Sequence, residues 1–498
     1  MLRAVAAEAA RRFGDRTAYV AVDGWPLSYA ELDRASDEVA VAMAARGVGE
    51  GDVVALVLPA VPEYAIAYLA AAKLGAVTAG VNARLAAPER DALLEAAQPR
   101  LVLATADLAP KGPWPVEIVT PAGATDLLLA GLRAPGERPP PLADDPQRPL
   151  AVVFTSGTTG TPKGAVFAGR QLSFISDVDT GGRWDGGGDQ IAGTSFAHLA
   201  FMTKFPGKLM GGGVTYMVER WRAADALAMT AEHRLTRIGG IPTQVALMLR
   251  DPSFDDYDLS AVRVIVIGGG PATPALVREA RERFGCPVLV RYSCTEAGVG
   301  TGTALDDPDE DAEISVGRPL PGVELRIADP DAEGRGEVCL RSPAVMSGYW
   351  RAPAATAEAL TDDGFVRTGD VGWVDDLGRL RLAGRSKEMY VRGGYNVYPV
   401  QVEGVLARHP GVADVAVVPH PDDVMGEIGV AVVVPADPNA APGLEALREF
   451  AAGELARHEL PEALLVVDDL PLTPMEKVDR RALAALVHTS DDPSENER

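Results

Sequence analysis

A chain of 498 residues with 47% apolar content is too long for one hydrophobic core, so we expect at least two domains. Asp and Glu outnumber Lys and Arg by 70 to 47, and the formal charge of −23 argues against nucleic acids and anionic membrane surfaces as partners. Three cysteines without a CxxC spacing predict neither a disulfide framework nor a structural zinc site. Together with an N-terminal segment that lacks the apolar core of a secretory signal, they favour a cytoplasmic protein.

The first third of the chain alternates helical and strand patterns. Residues 27–47 carry apolar side chains at helical spacing and end in glycine, while 52–59 and 99–105 are apolar runs of strand length. The most apolar stretch, 64–83, contains Lys73 and many small residues, which indicates a buried helix running into a strand rather than a membrane span. This alternation predicts βαβ units around a largely parallel sheet.

A Pro-rich connector at 133–149 separates this block from a second alternating section, with strands predicted near 150–154, 262–267 and 287–290. From about residue 310 the pattern changes to short strands and turns. The predicted fold class is therefore α/β, with a large N-terminal domain of βαβ-type sheets and a β-rich subdomain.

A compact α+β unit follows the segment 379–399, and the chain ends in a polar stretch that we expect to be disordered. The predicted division is residues 1–386 for the N-terminal domain, 387–487 for a small C-terminal domain and 488–498 for the tail.

The strongest local motif is "VVFTSGTTGTPKGA" at 152–165. An apolar strand runs into a loop of Ser, Thr and Gly that includes Lys163. Converging backbone N–H groups, hydroxyl donors and one positive charge suit a polyphosphate, although the spacing is not that of a Walker A loop. The alternative is a flexible surface turn.

Further motifs follow in a fixed order: "RYSCTEAG" (291–298), "GYW" (348–350), "RTGDVGW" (367–373), "GRSKEMYVRGGYNVYP" (384–399) and "MEKVDR" (475–480). This ordered set resembles the adenylate-forming superfamily of acyl-CoA synthetases, nonribosomal adenylation domains and beetle luciferases. The resemblance covers nearly the whole chain, and it implies an N-terminal domain that binds AMP and the acyl group and a mobile C-terminal domain.

The resemblance implies ATP or AMP and Mg²⁺ as ligands of the N-terminal domain. Thr295 and Glu296 would contact the α-phosphate and the Mg²⁺, which prefers oxygen ligands. The residues assigned to the nucleotide, apart from this pair, are Thr155, Ser156, Gly157, Thr158, Thr159 and Lys163 for the phosphates, Gly269, Gly270, Pro271 and Tyr292 for the adenine side, Asp370 for the ribose, and Arg385 for the ribose or a phosphate. In isolation each motif has an ordinary explanation, such as a surface glutamate or an Asx turn.

The same resemblance implies that the C-terminal domain swings about a hinge at Lys387 between two half-reactions. In the first, Lys477 stabilises negative charge while a carboxylate attacks the α-phosphate of ATP. In the second, Lys477 withdraws, and Gly393 and Gly394 line a tunnel for the thiol of coenzyme A. No nucleophilic side chain is required, so Cys294 is expected to be a residue of the pocket wall.

The acid itself is harder to predict. His198 falls where acyl-CoA synthetases have a histidine beside the acyl pocket, preceded here by the small Ala197, and it is either a substrate contact or a packed core residue. Gly240 and Cys294 are the other candidate substrate residues. The segments expected to line the pocket contain no Arg or Lys, which favours an uncharged, apolar acyl group.

Glu476 departs from the family, in which glycine commonly precedes the lysine. A positive φ at a non-glycine residue would cost on the order of 1 kcal/mol or more. A carboxylate about 6–8 Å from the phosphates would repel them by roughly 2–3 kcal/mol at an effective dielectric constant near 20. Both penalties would fall on adenylation; alternatively, Glu476 points to solvent and changes nothing.

The leading hypothesis is an AMP-forming acyl-CoA ligase, an acid–thiol ligase acting on a small-molecule carboxylic acid and CoA as a monomer or homodimer. The first alternative is a ligase with impaired adenylation that converts a supplied acyl-adenylate to the thioester. An amino-acid adenylation domain, a luciferase-like oxygenase and a catalytically inactive nucleotide-binding protein are the remaining alternatives.

Overall fold

The computed structural model of the protein describes residues 1–124, 129–155, 162–473 and 478–490. Mixed α/β sheets form a large N-terminal domain, and a smaller C-terminal domain follows it, which confirms the predicted fold class. The divisions at residues 386 and 487 stay predictions. The last helix runs from Arg480 to Ser490, so residues 488–490 of the predicted tail 488–498 belong to a helix, and residues 491–498 lie outside the described residues.

The first large sheet has the strand order β6-β5-β3-β4-β7-β8 and is parallel except for the antiparallel pair β7–β8. Its strands are β3 (Val53–Val57), β4 (Val77–Gly80), β5 (Leu101–Ala104), β6 (Val116–Ile118), β7 (Pro149–Thr155) and β8 (Lys163–Ala168). The neighbouring helices are α1 (Leu2–Phe13), α2 (Tyr29–Ala45), α3 (Pro62–Leu74), α4 (Ala87–Ala97) and α5 (Gly169–Thr180). The helix predicted at 27–47 and the strands predicted at 52–59 and 99–105 are therefore confirmed within a few residues.

Helix α3 and strand β4 also confirm the buried helix and strand predicted for 64–83. Lys73 lies in the last turn of α3 with a side chain only 6% exposed, and its Nζ lies 2.8 Å from Oδ1 of Asp33 and 2.6 Å from Oδ1 of Asp37. The buried charge is thus paired with two carboxylates of α2, as a charge in an apolar interior requires. Within the described ranges, none of the helices combines the length and the apolar content needed to cross a membrane.

A second large sheet has the order β11-β12-β13-β14-β15, and its first three strands are parallel. The strands are β11 (Arg237–Gly240), β12 (Val264–Gly268), β13 (Val288–Tyr292), β14 (Thr301–Gly302) and β15 (Arg318–Pro319), and the helices beside them are α8 (Ala223–Glu232), α9 (Pro242–Arg250), α10 (Pro274–Phe284) and α11 (Asp309–Ile314). A four-stranded sheet of β1 (Thr17–Val20), β2 (Pro26–Ser28), β9 (Gln190–Ile191) and β10 (Thr215–Tyr216) and the short helices α6 (Leu199–Met202) and α7 (Phe205–Gly211) complete this part of the domain.

The short-strand pattern predicted after residue 310 corresponds to an antiparallel sheet of β16 (Glu324–Ala328), β17 (Gly336–Arg341), β18 (Val366–Val374) and β19 (Leu380–Arg385), with α12 (Pro353–Ala359) between β17 and β18. The C-terminal part contains β20 (Tyr390–Arg392), β21 (Tyr395–Val397), α13 (Pro399–Leu406), β22 (Val412–Asp422), β23 (Gly426–Pro435), α14 (Leu444–Ala451), β24 (Ala463–Val466) and α15 (Arg480–Ser490). Buried apolar side chains from these elements form two clusters of their own.

Candidate active site

Three neighbouring parallel strands end at one edge of the second sheet, and their last residues open the site. β11 ends at Gly240, β12 at Gly268 and β13 at Tyr292. Gly269 follows with a φ of +82°, a conformation that only glycine adopts without strain. A Cβ at Gly268 would lie 3.1 Å from the carbonyl oxygen of Arg291, so bare backbone forms this surface. The carboxyl edge of parallel strands is where open α/β sheets bind ligands.

Asp370 lies in β18 opposite Arg385 of β19, and its carboxylate has partners on both sides. The hydroxyl of Tyr292 donates to Oδ2 at 2.7 Å, and Nε of Arg385 donates to Oδ1 at 3.1 Å. Thr368 orients this segment, because its hydroxyl donates to the Val338 carbonyl and accepts the backbone N–H of Asp370.

The two donors to Asp370, Tyr292 and Arg385, both have a raised pKa. Burial and then the Asp370 carboxylate raise the pKa of Tyr292 well above its ordinary value, so the phenol remains a donor. Burial opposes the charge of Arg385, but attraction to Asp370 and Glu388 outweighs it and raises the pKa of the guanidinium. Asp370 is only 7% exposed, which makes it a preorganised acceptor at the end of the cleft.

Glu296 follows β13 and lies in a short 3₁₀ helix, Thr295–Ala297. Tyr349 donates its phenolic hydrogen to Oε1 of Glu296 at 2.7 Å, and Nζ of Lys163 lies 5.5 Å from the centre of the Tyr349 ring. The Tyr349 segment is held there because it pairs with Ala165 of β8. A carboxylate from the second sheet and an ammonium from the first therefore meet around one aromatic ring.

Cys294 lies next to this pair, in the turn that leads to Glu296. Burial, and after it the Glu296 carboxylate, raises the pKa of the Cys294 thiol well above its ordinary value. A thiolate nucleophile is disfavoured at this position, because the thiolate is the reactive form of cysteine.

Thr155 and Lys163 are directly paired at the open end of the β7–β8 hairpin, and the Thr155 hydroxyl donates to the Lys163 carbonyl at 3.3 Å. The loop between them includes four predicted phosphate ligands, which lie outside the described residues: Ser156, Gly157, Thr158 and Thr159.

His198 precedes α6, and its Nε2 lies 3.2 Å from Nδ2 of Asn82, which follows β4. The amide nitrogen of Asn82 is a donor, so in this contact Nε2 of His198 is the acceptor. Ala197 does not reach the cleft formed by the described residues. It is 3% exposed, and its Cα is so close to Gly80 that a Cβ there would lie 2.8 Å away.

Most of the predicted site residues that the structure describes line one continuous cleft. They are Thr155, Lys163, His198, Gly240, Gly269, Gly270, Pro271, Tyr292, Cys294, Thr295, Glu296, Asp370, Arg385 and Lys387. Gly393 and Gly394 are not among the described residues that line the cleft. They form the two-residue turn of the β20–β21 hairpin with φ values of +55° and +89°, so a type I′-like turn already accounts for both glycines.

Lys477 and Glu476 lie outside the described residues. On either side of them, Leu472 and Val478 pair as an antiparallel bridge, and both line the cleft. Arg480, at the start of α15, binds Glu403 with N–O distances of 2.7 and 2.9 Å and Glu388 at 3.2 Å.

Two contacts of the cleft escaped the sequence reasoning, namely Tyr349 on Glu296 and Asn82 on His198. The motif "GYW" does not by itself predict which residue its tyrosine contacts. Asn82 has no sequence feature that indicates a role in the site, apart from its position after a strand. The lining of the whole cleft also includes four cations that the sequence does not place there, namely Lys204, Lys208, Arg237 and Arg291.

The donor set fits a Mg²⁺–nucleotide complex. Among the described residues, no group of three or more His, Cys, Asp or Glu side chains is arranged to hold a metal ion by itself. A Mg²⁺ at Glu296 would therefore depend on nucleotide phosphates for most of its ligands, which is how proteins commonly bind this ion.

Residues 6–350 match the family model described as "AMP-binding enzyme", and residues 401–477 match "AMP-binding enzyme C-terminal domain". A fatty acid–[acyl-carrier-protein] ligase, ScoC of Streptomyces coeruleorubidus, is 33% identical over 94% of this chain and 93% of its own. A 3-[(3aS,4S,7aS)-7a-methyl-1,5-dioxo-octahydro-1H-inden-4-yl]propanoyl:CoA ligase of Mycobacterium tuberculosis (strain ATCC 25618 / H37Rv) is 34% identical over 96% of this chain and 97% of its own. The crystal structure of ATP-bound MatB from Rhodopseudomonas palustris is similar with a TM-score of 0.87 and 28% identity, over 99% of this chain and all of that one.

The fold, the cleft and both family matches lead to one conclusion: this chain belongs to the AMP-binding enzymes of the adenylate-forming superfamily, and its class is that of the AMP-forming acid–thiol ligases.

Proposed function

We propose that the protein is an acyl-CoA ligase that activates a carboxylic acid with ATP and transfers the acyl group to the thiol of coenzyme A. The observation that carries this proposal is the convergence of Asp370, Glu296 and Lys163 in one cleft at the carboxyl edge of the second sheet. These groups supply, in one place, an acceptor for ribose hydroxyls, an oxygen ligand for a cation and a positive charge for phosphate.

In this proposal the nucleotide lies along the edge of the sheet. Gly269, Gly270 and Pro271 face the adenine, and Asp370 accepts hydrogen bonds from the ribose while Tyr292 and Arg385 hold its carboxylate in place. The phosphates lie between Thr295 and the β7–β8 loop, to which Thr155, Lys163 and residues 156–159 belong. Glu296 would hold Mg²⁺, which when bound would supply charge neutralisation at the phosphates.

The first half-reaction forms a bond between an oxygen of the substrate carboxylate and the α-phosphorus. The bond from that phosphorus to the bridging oxygen breaks, and pyrophosphate leaves. The chain contributes positive charge from Lys163 and Lys477 where negative charge develops. His198, with its Nε2 engaged by Asn82, presents the other side of its ring towards the acid.

In the second half-reaction the thiol sulfur of coenzyme A attacks the acyl carbon, the thiol proton is lost, and AMP leaves with the electron pair of the broken C–O bond. The protein thiol Cys294 takes no part, in agreement with its raised pKa. We assign the change between the two halves to a rotation about Lys387, after which Gly393 and Gly394 face the thiol.

A second candidate is a ligase whose adenylation is impaired by Glu476, so that it mainly converts a supplied acyl-adenylate to the thioester. The observation that favours it is the carboxylate directly before Lys477 in the sequence. This candidate shares the cleft and the second half-reaction with the first candidate. The two differ only in the rate of the first half-reaction.

Both candidates are tested by one panel of carboxylic acids, in which pyrophosphate release and acyl-CoA formation are measured separately. An acyl-CoA ligase releases pyrophosphate and forms the thioester in equal amounts. The second candidate forms thioester rapidly from synthetic acyl-adenylate but slowly from the acid and ATP. Formation of neither product from any acid or adenylate overturns both.

A further inference from the structure

A cluster of cations lines part of the cleft. It consists of Lys204, which directly precedes α7, Lys208 within α7, Arg237 at the start of β11 and Arg291 in β13. We call it the basic cluster. In a chain of net charge −23, four cations on one wall stand out against the general field of the protein.

The register of the second sheet explains how the two arginines come together. Arg237 pairs with Val264, and Arg291 pairs with Gly268, four residues further along β12. Side chains alternate along strands, so Arg237 and Arg291 extend from the same face of the sheet. Helix α7 and the residue before it contribute the two lysines to the lining of the same cleft.

The cations are poorly neutralised by the protein. Asp179 already binds Lys204, at 2.8 and 2.9 Å. Within the described part of the chain, neither Lys208 nor Arg237 forms a hydrogen bond or ion pair with a protein group, and Nζ of Lys208 lies 5.6 Å over the ring of Phe201.

Burial and the neighbouring cations both act on the pKa of Lys208. Burial first, and then the charge of Lys204, lowers its pKa to about 8; Arg237 acts in the same direction and Asp179 opposes them. Arg291 is affected likewise, since burial and then Arg237 lower its pKa while Asp179 and Asp307 oppose. Asp307 is paired with Arg318 at 2.9 Å. An anion bound among these side chains would relieve both the desolvation and the repulsion.

We propose that the acid is a dicarboxylic acid, whose distal carboxylate is bound by Lys208 and Arg237. This inference rests on the proposed function and names its substrate class. Arg237 lies three residues before Gly240 on β11, a rise of about 10 Å, and this sets the separation of the two carboxylates. Suberic acid has its carboxyl groups at the ends of a methylene chain of comparable length, and octanoic acid is the matched monocarboxylic acid.

The test compares kcat/KM for suberic and octanoic acid, measured by pyrophosphate release, in the wild type and in Lys208→Met and Arg237→Leu. We expect the wild type to prefer suberic acid, and each variant to lower the suberic-to-octanoic ratio by at least about 10-fold, the effect of losing one hydrogen bond to a charged group. Lys111→Met, an exposed lysine outside the cleft, should keep the wild-type ratio. The proposal is overturned if the wild type prefers octanoic acid. It is also overturned if the variants lower kcat/KM for both acids in the same proportion, because the cations would then act on ATP, CoA or the fold.

Calorimetric binding of the two acids separates this proposal from the function on which it rests. Suppose that suberic acid binds more tightly than octanoic acid, that the variants abolish this difference in affinity, and that neither acid is turned over. In that case the proposed activity is wrong and the dicarboxylate site is right. If turnover occurs without any such difference in binding or rate, the activity stands and the dicarboxylate site is wrong. If suberic acid does not bind, the dicarboxylate site is overturned.

Discussion

The phenolic oxygen of Tyr292 lies 2.7 Å from Oδ2 of Asp370, although the two residues are separated by 78 positions in the chain. The bond joins the second sheet to the antiparallel sheet of β16–β19. It leaves Asp370 with a fixed orientation before any nucleotide is present, so the ribose meets an acceptor that needs no rearrangement.

Asp370→Ala should weaken ATP binding by about 1.5–3 kcal/mol, the contribution of hydrogen bonds to a charged group, which is roughly 10- to 150-fold in Kd. Isothermal titration with ATP measures this directly. Tyr292→Phe should cost less, because the carboxylate stays and only its orientation is lost. Asp376→Ala removes an exposed carboxylate from the turn between β18 and β19 and is the matched control. Unchanged ATP affinity in folded Asp370→Ala would remove Asp370 from the site.

Lys477→Ala should lower the rate of adenylation by about 10²–10³-fold, the scale observed when one preorganised donor is removed from a charged transition state. The same variant should still form thioester from a synthetic acyl-adenylate, because the lysine is withdrawn in that half-reaction. Equal loss of both rates would contradict the proposed alternation.

Glu476→Gly separates the two candidate functions. If the glutamate repels the phosphates, the variant should adenylate faster than the wild type and transfer the acyl group to CoA at an unchanged rate. Single-turnover measurement of each half-reaction gives both numbers. A wild type that already adenylates rapidly, with Glu476→Gly no faster, would show that Glu476 has no influence on the reaction.

Gly394→Leu should block thioester formation and spare adenylation, since its side chain would enter only the proposed thiol tunnel. The φ of +89° adds backbone strain, so the variant needs a control with the same strain elsewhere. Gly378→Leu, with a φ of +75° in the turn between β18 and β19 and open space around it, provides this control. If Gly378→Leu shows the same selective loss, strain explains the effect and the tunnel assignment is wrong.

Lys73→Met should destabilise the protein by about 3 kcal/mol or more, because it removes the buried cation between Asp33 and Asp37 and leaves Asp37 only the exposed Arg138, at 3.4 Å. The shift of the urea unfolding midpoint measures the loss. Adding Asp33→Asn and Asp37→Asn should restore much of it, and the exposed Lys111→Met should change stability by less than about 0.5 kcal/mol. A triple variant as unstable as the single one would show that packing of the lysine stem, not the pairing, was lost.

Sequence reasoning was most successful where a pattern is local. Helix α2 and strands β3 and β5 follow from the spacing of apolar residues, and Asp370 and Glu296 belong to short motifs whose order is informative. The hairpin turn at Gly393 and Gly394 also had a local signal, two glycines between short apolar-polar strands, which the tunnel interpretation overlooked.

The basic cluster could not be predicted in the same way. Its members come from α7 and the residue before it, from β11 and from β13, and only the parallel register and the position of the helix bring them to one cleft. Each lysine or arginine alone is indistinguishable from an ordinary surface residue, since most such side chains are exposed. The hydrogen bond from Tyr349 to Glu296 could not be predicted from local sequence either, because it depends on the pairing of Tyr349 with β8.

Arg480 forms ion pairs with two glutamates of the C-terminal part. Its partners Glu388 and Glu403 both follow Lys387 in the chain, so the proposed rotation about Lys387 would carry all three groups together and leave their ion pairs intact. The guanidinium of Arg250 in α9, by contrast, donates to the carbonyl of Ala413 in the C-terminal part, and the proposed rotation would break this bond. The energetic cost of the rotation would therefore come from contacts such as that of Arg250 rather than from the ion pairs within the C-terminal part.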